Sequence, residues 1–482
     1  MEKGPVKLSP GNQNVECAMK TRIKSLLPLL LLLALPATVR AQFTFTTNNG
    51  AITITGYTGP GGSVTIPDTI GGLPVISIGT QALYNNESLT NVMIGTNVTN
   101  VGIGAFAGCS SLTAITVNSN NQAYTSLTGV LFNQSQTTLI EYPGGLRGNY
   151  TIPNSVSSIG TSAFALCTNL TSITIPNGVT NVGPAAFFHC INLTSVTLSD
   201  STTTIGYNAF NQCFNLANIT IPDNVTSIGE WAFEECYNLT NALIGKSVTS
   251  IGMDAFLSCT KLVSADIPNS VTSIGDDGFY DCTSLTKVTI PNSVTNLGAD
   301  VFGNCTNLTS VLIGNSFLGS FEFSSCSSLT NITIGAYVTS IADAAFYACH
   351  NLMGVYFLGN PPSLNNNGGD PNYTYLFGGD NKTTVYYLPG TTNWGSTFAG
   401  RPTVLWNPRA QTSGGSFGVR TNRFGFPITG TSNLVIVVEA CTDLANRSWS
   451  PVSTNTLTGG SSYFSDPQWT NYPARFYRLR SP

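Results

Sequence analysis

The sequence predicts a β-rich repeat solenoid, with parallel strands joined through short helical or 3₁₀ turns, followed by a small C-terminal all-β domain. Three observations predict it. A block of 23 residues recurs along the middle of the chain, as in LTSITIPNGVTNVGPAAFFHC from Leu170 to Cys190. Within each block, apolar residues alternate at the period of a short strand, Leu170, Ile173 and Ile175 being the example. Beyond Leu352 the period stops, and separate strand-like runs such as NLVIVVEAC and ARFYRLR take its place.

The elements follow in chain order. Residues 1–41 read as a secretory signal: Lys20, Arg22 and Lys24 precede the mostly apolar run Leu26 to Leu35, and the small residues Val39 and Ala41 flank a cleavage point. Met19 is the expected start and Gln42 the expected first mature residue. The run is shorter than the roughly 20 apolar residues of a membrane span, so no transmembrane segment is expected and the chain is placed outside the cell or on its surface. Residues 42–73 alternate apolar and polar around Asn49-Gly50 and Gly61-Gly62, two hairpin signals, and read as a β cap.

The repeats occupy 74–357. Ten cysteines, Cys109, Cys167, Cys190, Cys213, Cys236, Cys259, Cys282, Cys305, Cys326 and Cys349, mark the phase, and Leu stands three residues after each. Two gaps depart from 23. Cys109 to Cys167 spans 58, an insertion at about 118–150 that reads as a β-hairpin with an extra strand, and Cys305 to Cys326 spans 21 because GNSFLGSFEF lacks the usual VTSIG corner. In each block Pro or Gly ends the strand, the chain turns through NGVTNVG with Gly183 expected at positive φ, and xxAFxxC is expected to form a single helical or 3₁₀ turn. A lone coil buries too little to hold itself, so coils must stack, with strand on strand and Phe on Phe. Phe187, Phe210, Phe233, Phe256, Phe279 and Phe302 are therefore expected to form one apolar column. Residues 358–402 read as a linker or C-terminal cap, and 403–482 as a small β-sandwich-like domain.

The blocks LTSITIPNGVTNVGPAAFFHC and LTKVTIPNSVTNLGADVFGNC resemble the 23-residue repeats of BspA-type bacterial surface proteins, the treponemal class of leucine-rich repeats. The resemblance spans about Val75 to Leu352, where Leu, Pro, Val, Gly, Ala-Phe and Cys recur together. It implies a noncatalytic extracellular role in binding or adhesion, with a protein or glycan as partner. The closing FYRLR strand resembles a C-terminal β module of assorted secreted bacterial proteins.

Composition narrows the chemistry. Only 9% of residues are charged and the net charge is −4, so nucleic acid is not an expected partner. No cofactor and no metal site are expected, and His189 and His350 read as variable surface residues. Glu230, Glu234 and Glu235 around Trp231 leave two readings, a sugar or calcium spot and solvated charge. Cys190, Cys213, Cys236, Cys259, Cys282 and Cys305 read as buried apolar fillers, because coils are expected to splay on that side; bridges between coils are the other reading. Arg478 and Arg480 share one face of the last strand, which is either a basic docking edge or a solvated face. Outward positions of the strands are mostly Ser, Thr and Asn, as at Ser172, Thr174, Asn218 and Thr220. Leu243, Asp266, Lys287, Leu312 and Tyr356 break that pattern and are the candidate binding residues. Two alternative functions compete with binding: a carbohydrate-associated or hydrolytic role in the C-terminal domain, encouraged by Trp394, Trp406, Trp449 and Trp469, and a structural surface-layer component.

Overall fold

In the coil that begins at Leu170, alternate side chains go inward, and the chain closes a three-sided turn around them. A computed structural model describes residues 42–365, 375–380, 382–446 and 448–482, so the expected signal segment lies outside the described residues. Leu170–Thr174 forms the first side and pairs in parallel with strands of the coils before and after. Asn181–Val182 forms a second, shorter side, again in parallel pairs. Leu170, Ile173, Val179, Val182, Ala186, Phe187 and Cys190 are all buried between these sides.

The third side is built of 3₁₀-type turns that also bond to the next coil. The xxAFxxC stretch is a chain of turns, and the one helix among the described residues is the 3₁₀ turn Trp469–Asn471. Amides of Ala186, Phe188 and Cys190 donate back three residues, as a 3₁₀ turn would, at 3.1 to 3.2 Å. Amides of Ala185, Phe187 and His189 instead donate to Tyr207, Ala209 and Asn211 of the next coil, at 2.7 to 2.8 Å. The alternation requires a left-handed residue twice per coil, Ala185 at φ 51° and His189 at φ 56°, which prevents a continuous helix. The coils therefore do not splay here, since hydrogen bonds join them on this side as on the others.

The recurrent corner glycines also differ from expectation. Gly183, Gly206, Gly229 and Gly252 are not at positive φ. They are needed for space: a Cβ on Gly183 would lie 2.5 Å from the carbonyl oxygen of Ile159, and one on Gly229 would lie 2.6 Å from the carbonyl carbon of Gly206.

Stacking yields a 13-stranded sheet running from Gly148–Thr151 to Thr397–Phe398 and a 10-stranded sheet of the short strands, which ends at Asn296–Leu297. The short strands resume as a separate three-stranded sheet at Phe317–Leu318. The break falls at the 21-residue coil. The insertion supplies Tyr124–Leu127, Val130–Asn133 and Thr138–Glu141, an antiparallel meander whose last strand joins the short-strand sheet. In front, Phe43–Asn48 and Ala51–Tyr57 form the cap hairpin at Asn49-Gly50. Gly61-Gly62 makes no hairpin, because Gly62–Thr65 already pairs in parallel with Leu89–Ile94 as a solenoid strand.

At the far end, the solenoid does not give way to a linker at 358. Phe377 continues the phenylalanine column, and strands Thr384–Tyr387 and Arg401–Leu405 extend the long sheet in parallel. Asp380 and Thr383 occupy the Cys and Leu positions of this last coil and bond to each other at 2.7 Å. The remaining strands form two small antiparallel sheets around Phe426, Ile428, Ile436, Val438 and Phe464. Tyr386, Val404 and Trp406 of the solenoid's end pack onto that core.

Candidate functional site

From Gly148–Thr151 to Asn331–Ile334, the strands of the long sheet turn their Ser172-type and Thr174-type residues outward, so stacking converts a two-residue pattern into two rows. Register places Ser172, Ser195, Asn218, Asn241, Ser264, Lys287 and Ser310 in one row. The other holds Thr220 beside Leu243, and Asp266 beside Thr289, Leu312, Thr333 and Tyr356. Successive members stand about 4.8 Å apart, and the rows about 7 Å apart. Flanking them, Thr194, Thr240 and Thr309 donate their hydroxyls to carbonyls of the preceding coil at 3.0 to 3.1 Å, leaving a polar, laterally braced surface.

Four of the five candidate residues lie open on this surface. Leu243 and Leu312 are 49% and 51% exposed, three rungs apart, with exposed Asp266 and Lys287 between them on neighbouring strands. Neither Asp266 nor Lys287 takes part in an ion pair among the described residues. Tyr356 is the exception. It is 5% exposed, stacked on Tyr386 at 4.6 Å and met edge-on by Trp406 at 6.3 Å, because the sheet continues past it and the small domain covers that end. It belongs to an internal junction and leaves the candidate surface.

Sequence reading passed over Val263, which is 50% exposed and sits between Thr240 and Thr286 in the flanking column. The signal was present, since Val263 replaces the Thr that recurs at that phase. Together Leu243, Val263, Asp266, Lys287 and Leu312 form one patch of apolar and charged side chains in a field of hydroxyls and amides. Rows of Ser, Thr and Asn can hydrogen-bond to a ligand but repeat too uniformly to fix its register; the patch supplies the irregular features that do.

The structural residues are internal. Phe187, Phe210, Phe233, Phe256, Phe279 and Phe302 are stacked with ring centroids 5.0 to 5.4 Å apart. Cys190, Cys213, Cys236, Cys259, Cys282 and Cys305 are unpaired and buried, and each thiol donates to the carbonyl of the preceding coil's Phe at 3.0 to 3.4 Å. Burial pushes the Cys190 thiol up to about 12.

Other chemistry-bearing residues serve neighbouring coils. His189 Nδ1 lies 2.9 Å from Gln212 Oε1, Gln212 donates to Glu235 at 3.0 Å, and His350 Nδ1 lies 3.2 Å from the Gly379 carbonyl. Trp231 donates to Asp254 at 2.7 Å, and burial, reinforced by Asp254, pushes Glu234 up to about 7. Arg478 and Arg480 do not form a free basic edge: both clamp the buried carboxylate of Glu439, at 2.7 and 2.5 Å. The four C-terminal tryptophans do not converge. Trp394 packs with Phe357 and Phe398, Trp406 meets Tyr356, Trp449 lies under Arg478, and Trp469 bonds to the Asn422 carbonyl.

Comparison with known proteins agrees with this architecture. The model of the BspA type leucine rich repeat region matches in six copies over residues 62–148, 147–263 and 249–367. A leucine-rich repeat protein from Bacteroides ovatus is similar at 26% identity with a TM-score of 0.52, covering 76% of this chain and 98% of its own. A leucine rich cell surface protein from Faecalibacterium prausnitzii is 27% identical, covering 70% and 96%, with a TM-score of 0.40. A leucine rich repeat protein from T. pallidum is 29% identical over 47% of this chain and 90% of its own, with a TM-score of 0.28. No curated protein matches the chain. With its repeats matched across residues 62–367, the chain belongs to the BspA type leucine-rich repeat family.

Proposed function

We propose that this protein is a noncatalytic binding protein of the cell surface or the extracellular space, which recognises a protein or glycan on the outward face of its long sheet. The observation that supports this most is the contiguous patch formed by Leu243, Val263, Asp266, Lys287 and Leu312 on an otherwise uniform polar surface. Leucines half-exposed to water in a sheet strand bury little apolar area, and their grouping with two charges outside any ion pair is the arrangement of a recognition centre with a polar surround. The extracellular placement rests on the signal-like segment before Gln42 and on the family; among the described residues no helix is long and apolar enough to cross a membrane. Repeat arrays of this kind use such extended faces for binding, and nothing in the geometry of the C-terminal tryptophans favours the hydrolytic alternative.

The test begins with affinity capture on the full mature chain and proceeds to a variant in which Leu243→Thr, Asp266→Thr, Lys287→Ser and Leu312→Thr restore the recurrent pattern. Affinity for the captured partner should fall at least about tenfold, with the melting temperature preserved, since each replacement is what neighbouring coils already carry. An unchanged affinity would remove this face from the account.

A further inference from the structure

The small C-terminal domain carries a charge balance unlike that of the chain as a whole. Residues 403–482 hold seven arginines, no lysine and three acids, in a chain whose net charge is −4. Two of the acids are neutralised within the domain: Glu439 by Arg478 and Arg480, and Asp466 by Arg475. The third, Asp443, accepts from the Ala445 amide and from Asn446 in its own loop. Arg409, Arg420 and Arg423 are exposed and belong to no ion pair among the described residues.

Strand register puts these three arginines on one face. In Arg423–Thr429, Phe424, Phe426 and Ile428 point into the domain's core, so Arg423, Gly425, Pro427 and Thr429 point out. Arg420 stands directly opposite Arg423, Gly418 opposite Gly425, Tyr463 opposite Pro427, and Arg409 opposite Thr429. Like charges directly opposite each other destabilise a sheet, and no acid on this face relieves the Arg420–Arg423 pair. Arg420 leans toward Gly415, where a Cβ would lie 3.5 Å from its Nη2, and an anion between the two arginines would remove the repulsion. Their hairpin is fixed nonetheless. Thr421 and Asn422 both adopt the positive φ of a tight two-residue turn, and Trp469 donates to the Asn422 carbonyl at 3.3 Å.

Beside the pair lies an aromatic ring. Gly418 and Gly425 leave that stretch of the sheet without side chains, and the phenol end of Tyr463 occupies the space: a Cβ on Gly425 would come within 2.6 Å of Tyr463 Oη. The ring therefore lies along the sheet, with one side against buried Gly425 and the other open, which leaves Tyr463 44% exposed. Arg423 stands two residues along the strand from Gly425, about 7 Å away. Arg409 stands on the other side of the ring, beside Thr429 and about 20 Å from Arg423.

We propose that this face binds an acidic polysaccharide, with one sugar ring on the open side of Tyr463 and a uronic-acid carboxylate between Arg420 and Arg423. The slightly positive C–H face of a sugar suits the negative face of an aromatic ring, and the planar guanidinium fork matches a carboxylate bidentately. A flat face with cations at both ends suits a chain-like ligand. Recognition needs the ring as well as the charges, which separates this ligand from an acidic peptide or an anionic membrane. The face belongs to the small domain and shares no residue with the outward patch of the solenoid.

The test is titration calorimetry on the full mature chain with hexagalacturonate, its methyl ester and acetyl-hexaglutamate-amide, with co-sedimentation on phosphatidylglycerol vesicles alongside. Hexagalacturonate should bind saturably, and the ester and the hexaglutamate at least about tenfold more weakly. Tyr463→Ser should weaken hexagalacturonate at least about tenfold, and Tyr463→Phe, which keeps the ring, should retain the affinity. The double variant Arg420→Thr, Arg423→Thr should weaken it as much, with an equal or higher melting temperature because a like-charge pair is gone. The proposal is overturned if hexagalacturonate shows no saturable binding up to roughly 1 mM, if the ester binds as well, if Tyr463→Ser or the double variant leaves the affinity unchanged, or if Tyr463→Phe loses it. Vesicles or hexaglutamate binding as tightly as the hexasaccharide overturn it too, because the face would then read charge alone. The variant that restores the recurrent pattern at Leu243, Asp266, Lys287 and Leu312 should bind hexagalacturonate unchanged; a loss there would place the sugar on the solenoid and overturn the assignment.

Discussion

Phe233 lies between Phe210 and Phe256, with ring centroids at 5.3 and 5.2 Å and planes within 9° of parallel. Its truncation leaves a cavity that two coils border, so Phe233→Ala should cost about 3 to 5 kcal/mol in chemical denaturation. Gly229 is constrained by space, and Gly229→Ala should destabilise by about 1 to 3 kcal/mol even though its φ suits any residue. Ala185 is constrained the other way: it sits at φ 51°, so Ala185→Gly should stabilise by up to about 1 kcal/mol. A result of the opposite sign at either position would show that the corner geometry is different. At this scale the inward or outward direction of each strand residue was legible, because a period of two leaves no choice once one face is apolar. The reason for the glycines was not, since sequence shows that a Cβ is excluded but not whether dihedral or neighbour excludes it. Tyr356 was misjudged for a related reason: its phase is outward, but what covers it comes from Tyr386 and Trp406, outside the recognisable period.

The turn ladder is the element that sequence described least well. Ala-Phe and Cys at fixed spacing look the same whether the chain makes a 3₁₀ turn or alternates its amides between its own coil and the next. The distinguishing signal was the frequency of Asn and Asp at the two left-handed positions, as at Asn208, Asp254, Asp277 and Asp300 in the first and Asp281 and Asn304 in the second. Along this ladder the thiols are sealed by the same hydrogen bonds that join the coils. Thiol titration should find eleven reactive cysteines after denaturation in the mature chain and almost none in the native protein; two or fewer after denaturation would mean bridges. The ladder also carries acids. Burial, then the neighbouring Asp254, pushes Glu234 up from 4.5 to about 7, and the same causes push Asp277 up from 3.8 to about 7. The folded protein thus retains protons that the unfolded chain has released between about pH 4 and 7. Stability from these groups is complete below that window and is lost as pH rises through it, so denaturant midpoints should fall from pH 4.5 to pH 7 by the equivalent of roughly 1 to 3 kcal/mol. Glu234→Gln with Asp277→Asn should flatten the change.

Across the whole molecule, each end solves the same problem differently. The hairpin Phe43–Tyr57 closes the front, and its outer strand Phe43–Asn48 is exposed at every position after Phe43. At the back, a degenerate coil replaces Cys and Leu by Asp380 and Thr383 before the small domain packs on Tyr386 and Trp406. The solenoid and its direction were legible because a repeat of this length cannot close a core alone. The extent of its last coils was not, because Leu376-Phe377 stands 31 residues beyond the preceding column position and the intervening sequence breaks the phase. The candidate surface was legible as departures from a pattern, whereas the break in the short-strand sheet at the 21-residue coil needed the lost pairing to be seen. Both depend on coils that hold one another in place. Hydrogen exchange on Phe233→Ala tests that dependence most directly. The account predicts that protection is lost at the altered coil and, in decreasing degree, at the Phe210 and Phe256 coils on either side, with the cap hairpin unaffected. Loss confined to the altered coil, with its neighbours as protected as in the parent, would contradict it.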